Sequence, residues 1–103
     1  MTLQEFRDSL VHDEPPRQLN PALAALWWDA KGNWKQAHEA AGQDEGPGAA
    51  WVHAYLHRKE GDVANARYWY RRANKTPATG SFEDEWQEIV AALLADTGPS
   101  FIR

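Results

Sequence analysis

The sequence predicts an all-α fold of about six helices, stacked as antiparallel pairs, and three observations point there. Helix start and stop signals recur along the chain, while the apolar/polar alternation of strands is never sustained. The segments between those signals are mostly short, which favours antiparallel neighbours. Finally, Gly32 and Gly61 lie 29 residues apart, are followed by Asn33 and Asp62, and are each answered five positions later by an Ala, Ala37 and Ala66. A turn written twice in this way is expected of a repeated helix–turn–helix unit.

The elements follow in order. Thr2 and Glu5 read as a capping box, and Leu3, Phe6, Leu10 and Val11 form an apolar stripe behind it, so residues 1–14 are expected to supply an N-terminal capping helix. The two prolines within Asp13–Gln18 end it, because each lacks an N–H and forces extended backbone on its predecessor. Asn20 then stands at an N-cap with Pro21 at the first helical position, and Gly32 closes this second helix. A third helix runs from Trp34 to about Ala41, and Gly42–Gly48 is a break. Helices over Ala49–Glu60 and Val63–Asn74 flank the Gly61–Asp62 turn. After the loop Lys75–Gly80, Ser81 and Asp84 read as a second capping box, opening a C-terminal capping helix over 81–97 that carries Phe82, Trp86, Ile89, Val90 and Leu93. The tail Gly98–Arg103 is expected to be extended.

Ala54, the Gly61–Asp62 turn, Ala66, Tyr70, Ala73 and Pro77 fall at the spacing of one known unit. The segment 47–77 thereby resembles a tetratricopeptide repeat. An earlier segment, 20–43, resembles a degenerate copy: Trp28, Gly32–Asn33, Trp34 and Ala37 correspond, but Ala41 replaces the expected aromatic and no Pro follows. The 29-residue spacing falls short of the ~34 typical of the family, which implies a truncated second helix in the first unit. The resemblance implies a right-handed stack, with residues 1–14 and 81–97 as caps. It also implies that the ligand-facing positions of the good unit's first helix fall on Trp51, Tyr55, Arg58 and Lys59.

Composition bounds the remaining possibilities. A chain of 103 residues makes one domain with a single core. Six Trp are read first as a means of enlarging that core, with one or two left to line a groove. The absence of Cys excludes a disulfide scaffold, a Cys-based zinc finger and a thiol nucleophile. Acidic residues among the first ten positions argue against a signal peptide, and no apolar run reaches membrane-spanning length. A cytoplasmic protein with no membrane partner is expected. The net charge of −4 argues against nucleic acid. Charge is uneven, with six basic and two acidic groups in residues 51–78 but one basic and five acidic in residues 79–103. The basic stripe Arg67, Arg71, Lys75, with Arg72 alongside, is therefore expected to pair with Glu83–Glu85 and Glu88 on the next helix.

Two constellations remain. Trp51, Tyr55 and Arg58 share one helix face, and with Lys59 they would make an aromatic cradle ending in two cations, suited to an extended peptide or a carboxylate. The plain alternative is that both aromatics are core. His53 and His57 sit at i, i+4 with Glu60 one turn on and His38 on the neighbouring helix, a set that fits zinc, copper or iron. Half-buried packing of these histidines is the competing reading, since the HxxxH spacing lacks the Glu of the zinc-protease pattern. No glycine-rich phosphate loop or GxSxG turn is present, and the serines have no evident base. The expectation is a non-enzymatic module with no cofactor. It would bind a protein or peptide through an aromatic/basic helix face, or pair with a second copy of itself using exposed Trp and Phe101–Ile102. The alternative is a His-based metal protein using His38, His53, His57 and Glu60.

Overall fold

In the computed structural model, which describes residues 1–96, the described chain is all-helical. The helices are α1 (Leu3–Asp8), α2 (Pro21–Ala30), α3 (Trp34–Ala41), α4 (Pro47–Lys59), α5 (Val63–Ala73) and α6 (Phe82–Asp96). The Thr2–Glu5 capping box forms as expected, but α1 ends early in a 3-10 turn, Ser9–Val11, and Val11 is left in solvent. Helix α4 begins two residues before the expected Ala49, with Pro47 in its first turn where no N–H is needed. At the start of α6, Ser81 Oγ accepts from the Asp84 N–H at 3.0 Å. No helix among the described residues is long and apolar enough to cross a membrane.

The repeated dipeptide works as a two-sided device. Gly32 and Gly61 hold φ of +81° and +85°, the left-handed region that an L side chain enters only at a cost. The following N–H, of Asn33 or Asp62, reaches back to the carbonyl of Trp28 or His57 at 3.0 and 2.9 Å, closing a Schellman turn. The same Asn33 and Asp62 then turn their side-chain oxygens onto the N–H of Gln36 and Asn65, both at 3.1 Å, and so cap the next helix. One residue pair thus stops a helix and starts its partner. Asn74, at φ +59°, ends α5 by the same geometry without a glycine.

Two helix pairs result, α2 with α3 and α4 with α5. Ala37, Ala41, Ala66 and Ala73 are all buried and let the paired axes approach closely. At eight residues against eleven, α3 is the shorter second helix, as the reduced spacing implies. Helix α6 packs across α2 and α4 together, with α1 beside it. Its Trp86 donates an indole N–H to the Leu26 carbonyl at 3.0 Å and meets Phe6 with ring centroids 5.7 Å apart. Gly48 makes room for this crossing, since a Cβ there would lie 3.0 Å from a Leu93 methyl. Lys31 ties down the N-terminal segment by donating to the Leu10 and His12 carbonyls.

Replacing Gly61 with Ala should destabilise the fold by about 1 kcal/mol through the left-handed φ alone. Urea unfolding checks this, with a lower midpoint and an unchanged slope.

Candidate functional site

The four expected contact residues are placed elsewhere than foreseen. Trp51 is 7% exposed and Tyr55 2% exposed, so both are core side chains that contribute only an edge to the clefts beside them. The cause is α6, which occupies the inner face of α2 and α4 where a ligand was expected to lie. Arg58 donates to Glu85 Oε1 at 2.9 Å and to the Gly80 carbonyl, with its guanidinium over Phe82. Lys59 donates to Asp29 Oδ1 at 2.9 Å. Lys75 covers the Trp51 ring at 4.2 Å.

These contacts reveal two buried carboxylates that the sequence reading did not single out. Asp29 accepts from Tyr55 Oη at 2.7 Å and from Lys59, while Glu85 accepts from Tyr70 Oη and from Arg58. Each carboxylate is therefore held by one tyrosine and one cation. Burial first, and then the adjacent carboxylate, push both phenols well above the ordinary tyrosine range, so each remains a donor. The signal for Asp29 was a lone acid inside the apolar run of α2. Glu85 carried no such signal, because it stands among other acids. A cleft of about 360 Å³ persists beside Asp29, Tyr55, Lys59 and Trp86, but the charges around it are already matched, Arg7 with Glu83 at 3.1 Å and Lys59 with Asp29.

The expected pairing of the α5 stripe with α6 is overturned by the same contacts. Glu83 and Glu85 are taken by Arg7 and Arg58, on α1 and α4. Among the described residues, Arg67, Arg71, Arg72 and Lys75 form no ion pair. All four are exposed, and Tyr68 beside them is 44% exposed. Arg72 lies over both Tyr68 and Trp69, with centroid distances of 5.8 and 4.9 Å. The outer side of α5 is thus a cationic and aromatic face that the fold itself leaves unneutralised.

The histidines do converge. His38 from α3 and His53 and His57 from α4 each bring a ring nitrogen within 4.8 Å of the other two. Glu60 stands outside this trio; its Oε1 accepts from His57 Nδ1 at 2.5 Å. Trp34 stacks on His38 and Trp69 on His53, with centroids 4.8 and 4.2 Å apart. Burial, then the neighbouring His38 and His57, lower the His53 pKa to about 4. Phe101 and Ile102, expected to support self-association, lie outside the described residues. Compared with protein families, curated proteins and solved structures, the chain matches none.

Truncating Trp51 to Ala should cost about 3 kcal/mol of stability, as for a core aromatic; chemical denaturation measures it. The lowered His53 pKa also sets a pH dependence. Between about 6.5 and about 4 the unfolded chain binds a proton that the folded chain refuses. Chelator-treated protein should therefore hold its full stability above pH 6.5 and lose it as pH falls through 4, and a His53→Leu variant should show a flatter profile.

Proposed function

We propose that this chain is a non-enzymatic interaction module of the tetratricopeptide-like kind, and that it binds an acidic stretch of a partner protein along the outer face of α5. The observation that carries this reading is the clustering of Arg67, Arg71 and Arg72 on one exposed helix face beside Tyr68, with no ion pair to a carboxylate among the described residues. Spacing of four aligns Arg67 and Arg71, and Tyr68 and Arg72 run beside them, while Lys75 lies past the end of α5 and turns onto Trp51. Arginine offers a planar fork to a carboxylate, and an aromatic neighbour with a guanidinium over it adds apolar area at little entropic cost. The aromatic/basic helix face expected on α4 is thus better supplied by α5. The net charge of −4 disfavours a nucleic-acid backbone as the anion, because that affinity grows with the positive charge of the whole domain.

A photo-reactive residue placed at Tyr68 should crosslink an acidic segment of a partner in cells. Titration of the purified protein with a Glu-rich peptide should show binding that weakens about tenfold or more from low to physiological salt. Reversing charge at Arg67 and Arg71 together should abolish both signals without changing the helical circular dichroism. Binding that survives the reversal, or crosslinks to non-acidic segments only, would refute the assignment.

A further inference from the structure

We propose that His38, His53 and His57 bind one late first-row divalent cation of the Zn²⁺ or Cu²⁺ class, with Glu60 as the outer partner that orients His57. The site is independent of the α5 face and is carried by different observations.

Three imidazoles come together from two helices because α3 and α4 are packed neighbours and because i, i+4 spacing puts His53 and His57 on one side of α4. Packing alone does not account for the state of their nitrogens. A histidine cluster kept for structure satisfies its buried nitrogens with hydrogen bonds. Here His53 Nδ1 is fully buried and has no hydrogen-bond partner, although two other imidazoles lie beside it. Neutral imidazole carries one bare lone pair, and Nδ1 is the His53 nitrogen that no donor or acceptor of the protein meets. A buried lone pair without a donor is costly to keep bare and is what a cation needs.

His57 shows the complementary arrangement. Its Nδ1 faces the Glu60 carboxylate, so the proton lies on that side and Nε2 is left to coordinate. A carboxylate behind a ligating imidazole fixes its tautomer and raises its basicity, the usual outer-shell device of metal sites. The flanking Trp34 and Trp69 clamp two of the rings by stacking, which limits their freedom before a ligand arrives. Three nitrogen donors with no thiolate favour Zn²⁺ and Cu²⁺ over hard oxygen-seeking ions. Metal–nitrogen bonds of 2.0–2.1 Å require the donors to close to about 3.3 Å of one another. His38 is the partly exposed member of the trio on α3, and rotation about its side-chain bonds is the movement this closure requires. Three protein ligands leave one position of a tetrahedron for water or a group from outside.

Protein purified without an affinity tag, stripped with EDTA and dialysed, is titrated with Zn²⁺ against a chromophoric chelator, while imidazole nitrogen resonances are followed by NMR. The expected result is one ion per chain, with the signals of His38, His53 and His57 moving together and His12 unmoved. His38→Gln and His57→Gln should each weaken binding at least about 100-fold, and Glu60→Gln about 10-fold. Both histidines are partly exposed, so these variants keep the fold, which circular dichroism verifies. Less than one equivalent bound, or an affinity that both His→Gln changes leave in place, overturns the site.

Discussion

A single buried carboxylate organises this molecule. Glu85, on α6, is 3% exposed and receives Arg58 from α4 and Tyr70 from α5, so one side chain fastens the last helix to both members of the second pair. Leaving such a charge unpaired in the interior would cost several kcal/mol, so dockings of α6 that part Glu85 from Arg58 are disfavoured. Asp29 repeats the arrangement one layer away, joining α2 to α4 through Tyr55 and Lys59. The apolar contacts of Trp86, Ile89, Val90 and Leu93 supply the driving force for burial, and the two carboxylates supply direction. The α5 face and the histidine trio both lie outside the contacts that seat α6.

That priority explains which parts of the structure were legible in the sequence. Local chemistry was: Thr2 and Asn20 cap where they should, the Gly–Asn and Gly–Asp turns fall between helices, and the short α3 follows from the compressed spacing. Periodicity also showed that Trp51, Tyr55 and Arg58 share a side of α4, and that His53 and His57 share another. It did not show what covers each side. The inner side is closed by a helix that begins 27 residues after Tyr55, and no local rule specifies a docking of that kind. The acids Glu83 and Glu85 looked equivalent to any partner of opposite sign, yet side-chain reach assigns them to α1 and α4 and leaves α5 exposed. Glu60 was grouped with the histidines from its spacing, and in the fold its carboxylate meets His57 Nδ1.

The histidine trio and the α5 face meet through one column of rings. His53 stacks on Trp69, and Trp69 carries Arg72 on its accessible side. The two rings lie nearly parallel, with 16° between their planes. The two outward-facing features of this small domain thus share a wall, although each has its own chemistry.

The crossing of α6 over both pairs has a geometric corollary. At fifteen residues this helix is about 22 Å long, enough to bridge two adjacent pairs and little more. Two helix pairs therefore lie under one strap, and the carboxylate that anchors it, Glu85, grips only the second of them, through Arg58 and Tyr70.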